Sequence, residues 1–135
     1  MIKLQKSVYD QIVAHALKDS PVEACGYLGS SEGLIVEVFP MENMDRSPEH
    51  FSLDPKEQFA VLNKAKAKGL KLTAVYHSHP ATPARPSEED IRIAYDPAIS
   101  YIIVSLAGGS PALISYRIRK GFVEKEDVII PENGE

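Results

Sequence analysis

Residues 70–90 constrain the fold of this chain most tightly, because a strand-like run ends in two histidines and a proline-studded loop then returns a carboxylate towards them. Leu70 to Tyr76 has the β-branched and aromatic content of a strand, and strand side chains repeat with a period of two. His77 and His79 therefore share a face, while Ser78 points the other way or towards the wall of a pocket. Pro80, Pro83 and Pro86 stiffen the loop leading to Ser87 and Asp90, which lowers the entropy lost in holding three side chains together. Two imidazoles and a carboxylate form a ligand set for zinc. A catalytic zinc site supplies three protein ligands and leaves the fourth position to water or substrate.

Each part has a plainer reading on its own. A lone His-x-His pair is commonly a surface or packing feature. Ser87-Glu88-Glu89-Asp90 is a capping box that predicts a helix from Ser87 to about Tyr95, through Ile91 and Ile93, and Asp90 also complements the helix dipole there. The joint pattern is far rarer. Two His, a Ser and an Asp at fixed offsets, each at a frequency of about one in twenty, arise by chance in fewer than about one in a thousand chains of this length.

His77-Ser78-His79, then seven residues, Ser87, two residues and Asp90 resemble the signature of the JAMM (MPN+, Mov34/PAD-1) zinc metallopeptidases, in their compact prokaryotic form. That family also has a Glu upstream on an early strand, and Glu23 in Glu23-Ala24-Cys25-Gly26-Tyr27-Leu28 resembles its Glu-x-x-Gly-x-Leu segment. The resemblance implies that His77, His79 and Asp90 hold one catalytic zinc and that Glu23 is the general acid/base. It further implies that Ser87 donates a hydrogen bond to the oxyanion. Such roles are what the chemistry requires: a zinc-activated water still needs a carboxylate to take its proton and deliver it to the leaving amine. The implied fold is α/β (α+β), the MPN-type, cytidine-deaminase-like curved mixed β-sheet, partly barrel-like, with about three helices. The implied substrate is a ubiquitin-like sulfur-carrier protein of the ThiS/MoaD kind, cut by peptide or isopeptide hydrolysis at its glycine-terminated tail, which β-augmentation would hold extended.

Length and composition agree with one soluble domain over residues 1–135. A net charge of -4 argues against general binding to nucleic acid or anionic membranes. The single Cys25 allows no internal disulfide, and with no apolar leader or spanning run the expected location is the cytoplasm. An apolar strand follows Cys25, so a small packed residue is expected there rather than a nucleophile.

Along the chain, Ile2 and Leu4 predict a short strand, and a capping box at Ser7 predicts a helix to about Lys18 with His15 on its outer side. Ala24–Leu28 and Leu34–Phe39 predict strands joined through Gly29 to Gly33. Pro40 to Leu53, with His50 at its surface, reads as a loop. Asp54-Pro55-Lys56-Glu57 predicts a helix start, with Phe59, Val61, Leu62 and Ala65 buried and Gly69 as its stop. Ser100–Leu106 predicts a central buried strand, Ala112–Ile118 a strand with one covered face, and Gly121–Glu124 and Val128–Ile130 edge or closing strands. The polar tail from Pro131 is expected to fray.

The residues leave other functions open. A noncatalytic MPN interaction module typically loses ligands that this chain retains, and a small-molecule or peptide amidase needs the same zinc. A nucleoside-type deaminase would need His-x-Glu and Pro-Cys-x-x-Cys, which are absent. Arg85, between the ligands, is a candidate to hold a substrate carboxylate as a bidentate donor.

Overall fold

The computed structural model describes residues 1–132. In chain order its elements are β1 (Ile2–Leu4), α1 (Lys6–Asp19), β2 (Cys25–Ser31), β3 (Leu34–Met41), α2 (Pro55–Ala67), β4 (Lys71–His79), α3 (Glu88–Arg92), β5 (Ser100–Ser105), β6 (Ala112–Arg119), β7 (Phe122–Glu126) and β8 (Val128–Ile129). The strands form one mixed sheet in the order β7-β6-β5-β4-β2-β3-β1-β8. Its two edge strands, β7 and β8, are separated in sequence by Asp127 alone, so the sheet curls into a nearly closed, barrel-like α+β fold with three helices, as expected. Of the tail expected to fray, residues 133–135 lie outside the described residues.

β4 lies in the middle of the sheet, antiparallel to β2 and parallel to β5. Its alternation divides the two faces. Ala74 and Tyr76 join the core built on α1, with Leu4, Val8, Ile12, Ala16, Leu28, Ile102 and Val104. The opposite face meets α2 through Cys25, Phe39, Met41, Val61 and Ala65. Gly26 stands opposite Tyr76 in the β2–β4 register, and a Cβ there would lie 2.7 Å from the tyrosine ring and 2.5 Å from the Phe39 carbonyl oxygen. Close passage of the ring over the strand explains why a glycine occupies this position.

Several local expectations are corrected. α1 begins at Lys6, with Gln5 at its N-cap and no side-chain cap, because β1 runs straight into the helix and the Gln5 amide bonds to the Ile35 carbonyl. Asp10 pairs with Lys6 instead of completing a box with Ser7. β2 continues to Ser31, and the hairpin turns on Glu32-Gly33, both at positive φ (49° and 81°), which suits a two-residue turn. α2 starts as expected, Asp54 accepting from the Lys56 amide, but Phe59 and Leu62 are 65% and 49% exposed. Val61 and Ala65 are its buried residues and Gln58 bonds the Tyr27 hydroxyl of β2, while the helix covers only part of the sheet and leaves a groove alongside. α3 stops at Arg92, short of Tyr95: Pro97 disfavours helical backbone at Asp96, whose amide and carbonyl both bond the Tyr101 hydroxyl.

Candidate metal centre and active site

β4 delivers His77 and His79 to the same face, and the capping box of α3 delivers Asp90. The Asp90 amide donates to Ser87 Oγ (3.0 Å) and the Ser87 amide donates back to Asp90 Oδ2 (2.9 Å). The plain and the functional readings of this segment therefore coexist. The same Oδ2 lies 3.2 Å from His77 Nε2 and 3.1 Å from His79 Nε2, and the two ring nitrogens are 3.1 Å apart. All three residues are buried.

Three ligand atoms this close together form a candidate metal site. The Pro83 carbonyl accepts from His79 Nδ1 (2.9 Å), which leaves the lone pair of neutral His79 on Nε2, facing the Asp90 carboxylate. Burial opposes a charge on His79, but the bonds to Asp90 and the Pro83 carbonyl outweigh it and raise its pKa. Burial likewise opposes ionised Asp90, yet the hydrogen bonds of His77 and His79 hold its carboxyl well below the usual range. A tetrahedral zinc with ligands at about 2.0–2.1 Å has ligand atoms about 3.3 Å apart. The observed triangle fits that edge, and the donor set of two imidazoles and a carboxylate fits zinc.

Glu23 sits just before β2 and is 3% exposed. Among the described residues, its Oε1 is the buried side-chain oxygen without a hydrogen-bond partner. Burial pushes its pKa up to about 8; His79 pulls it down, while Asp90, Glu89 and Glu49 push it further up. This carboxyl thus shares the electrostatic field of the tripod without bonding to it. A divalent cation at the three donors would favour the carboxylate. Ser87 is exposed beside Asp90, its Oγ accepting one amide and its proton free to be given to a ligand.

A groove of about 760 Å³ leads to His77 and Asp90. Its walls include Tyr27, Phe51, Phe59, Leu62 and Leu72 on the α2 side and Ile93, Tyr95 and Tyr101 on the other. Phe51 stacks on the His77 ring at 4.8 Å. Phe51 and Asn43, which organises the loop carrying it, leave no signal in the sequence, since neither lies in a periodic segment. Arg85 is exposed and lines a separate hollow of about 600 Å³ with Tyr116, Val123 and Lys125, rather than the groove. Cys25 is buried with its thiol pushed up to about 12 by burial, which suits packing rather than nucleophilic chemistry. His50 is exposed and bonded to Asp45, as expected of a surface residue. His15, expected on the outside, is instead half-buried between Asp19 and the Tyr76 hydroxyl. No helix among the described residues is long and apolar enough to cross a membrane.

Comparison with known proteins places this geometry in a family. The family described as prokaryotic homologs of the JAB domain matches residues 5–119. A CysO-cysteine peptidase of Mycobacterium tuberculosis is 36% identical, covering 98% of this chain and 92% of its own. A desampylase of Pyrococcus furiosus is 30% identical over 78% of this chain and 76% of its own. The solution structure of protein DSY2949 from Desulfitobacterium hafniense superposes with a TM-score of 0.90 at 44% identity, covering 100% of this chain and 96% of that one. The chain belongs to the prokaryotic homologs of the JAB domain, the compact prokaryotic branch of the JAMM/MPN family, and is a hydrolase.

Proposed function

We propose that residues 1–135 act as one zinc-dependent peptidase domain that cuts the bond following the C-terminal tail of a ubiquitin-like sulfur-carrier protein. The observation that carries this reading is the convergence of His77 Nε2, His79 Nε2 and Asp90 Oδ2 beside the unpartnered carboxyl of Glu23. Names of the relatives support the substrate class: one is a CysO-cysteine peptidase, another a desampylase.

In this reading His77, His79 and Asp90 hold zinc, which when bound polarises the scissile carbonyl and acidifies water. Glu23 takes the proton of the attacking water on the oxygen it keeps free, then returns it to the leaving amine. Ser87 donates a hydrogen bond from its hydroxyl to the oxyanion as the carbonyl becomes tetrahedral. The groove gives an extended tail an apolar bed, with exposed Phe59 and Leu62 as anchors for the folded part of the carrier. Phe51 covers one face of His77 and keeps bulk water from it.

The test has two parts. Native mass spectrometry of protein purified without chelator should show one zinc per chain, lost in His77→Ala. Zinc-loaded protein should then shorten a ubiquitin-like carrier bearing a short peptide after its terminal glycines, and Glu23→Gln should keep the zinc but slow the cut by about two to four orders of magnitude. A zinc-loaded protein that leaves the carrier intact while hydrolysing short peptides would replace the carrier with a small amide as substrate.

A further inference from the structure

We propose that Ser78 and Asn43 are positioning residues that set the Glu23 carboxylate by clamping its backbone; this rests on the reading of Glu23 as the proton carrier. A general base must keep a lone pair free, and Glu23 does so at Oε1. Hydrogen bonds to the carboxylate itself would consume the acceptor and weaken the base. Its position must therefore come from the main chain on either side.

Ser78, between the two histidines, is fully buried. The β2–β4 register pairs Cys25 with His77, so Ala24 faces Ser78. The Ser78 amide donates to the Ala24 carbonyl (2.9 Å), the first half of a hydrogen-bonded antiparallel pair. In a regular ladder the Ala24 amide would return a bond to the Ser78 carbonyl. Instead it donates to Ser78 Oγ at 2.7 Å. The side chain takes over the acceptor role, a known way for serine to compete with a ladder, and β2 leaves β4 just where Glu23 begins.

Asn43 and its loop hold the other side. Asn43 Nδ2 donates to the Glu23 carbonyl (3.1 Å) and to the His50 carbonyl (3.0 Å), and its Oδ1 accepts from the Asp45 and Ser52 amides. The Glu23 amide donates to the Ser47 carbonyl at 2.9 Å. Both peptide groups around the Glu23 Cα are thus tied, leaving only its side-chain torsions free. The loop that provides these ties also carries Phe51 onto His77, so one short segment registers the base against the ligand strand.

The experiment measures kcat and KM of the zinc-loaded protein on a fluorogenic peptide amide ending in Gly-Gly, for wild type, Ser78→Ala, Ser78→Thr, Asn43→Asp, Glu23→Gln and the doubles with Glu23→Gln. Asn43→Asp keeps the Oδ1 acceptor and removes the donor to Glu23. Zinc affinity by chelator competition and hydrogen exchange of the Ala24 amide are read on the same proteins. Misplacement of the base should lower kcat about ten- to a hundredfold in Ser78→Ala and Asn43→Asp, with KM and zinc affinity within about twofold. Ser78→Thr, which retains the hydroxyl, should recover most of the loss. Neither substitution should cost anything further in the Glu23→Gln background, because a residue acting through Glu23 has nothing left to act on. Ala24 exchange should accelerate in Ser78→Ala alone. Wild-type kcat in both variants, the same loss repeated without Glu23, or lost zinc affinity would each overturn the proposal. Should Ser78→Ala not fold, Asn43→Asp carries the same comparison. Full activity in Glu23→Gln, or no cleavage by wild type, would fail the functional reading instead; unchanged Ala24 exchange in Ser78→Ala would fail the clamp independently of either.

Discussion

The two faces of β4 use polar residues in opposite ways. On the α1 face, Tyr76 gives its hydroxyl to His15 at 2.7 Å, and Ser78 accepts the Ala24 amide. On the other face, His77 and His79 crowd their nitrogens against Asp90 while the Glu23 oxygen stays unpaired. One face closes its hydrogen bonds, and the other gathers ligand atoms around Asp90 beside a carboxyl oxygen left without a partner. Buried polar groups that are satisfied stabilise, whereas those held in deficit mark the chemistry.

The largest effect should come from the face in deficit. Replacing Glu23 by Gln should lower kcat by about two to four orders of magnitude with zinc still bound, read by steady-state kinetics beside metal analysis. A loss below tenfold would remove Glu23 from the reaction and erase the contrast between the faces.

Metal-free protein offers a second test, through stability. With its pKa raised from 4.5 to about 8, folded Glu23 holds its proton more tightly than the unfolded chain does. Its contribution is therefore fully present below pH 4.5 and declines as pH rises towards about 8. Urea midpoints of metal-free wild type should fall across that window relative to Glu23→Gln, which cannot ionise. Parallel curves would mean the carboxyl is already paired in solution.

Gly26→Ala should cost about 1–3 kcal/mol by overpacking, since the new Cβ would meet backbone and the Tyr76 ring. Tyr76→Phe should cost about 1 kcal/mol, measured by denaturant unfolding, and leave kcat alone. A matching fall in kcat would show that the paired face reaches the chemistry. The smallest effect on the fold belongs to Phe59→Ala: this exposed side chain should hardly change stability, yet KM for a carrier fusion should rise severalfold while a short peptide is cut as before.

How much of this was legible follows from range. His77, His79, Ser87 and Asp90 lie within one strand, one loop and one helix start, where period and capping rules act, and the structure brings them together as the sequence suggested. An outline of roughly six to eight strands and about three helices was legible for the same reason, and the structure has eight and three. Asn43, Phe51 and the displaced Ser78 bond depend on which strand lies beside which, and no local rule carries that. The solvent-facing Phe59 and Leu62 misled because helical spacing reveals an apolar stripe but not how much sheet lies beneath it. His15 was misread likewise: its partner Tyr76 is remote in sequence.

The shared oxygen of Asp90, which caps α3 and faces both histidines, bears on how the activity would be switched. Zinc-finger domains lose their fold with their metal because nothing else assembles the ligands. Here a sheet strand and a helix cap assemble them, so chelation should silence the protein without sending it to degradation. With the proposed zinc as the working metal, the pool of folded chains and the pool of working ones would become separate quantities, and zinc supply would set the ratio between them.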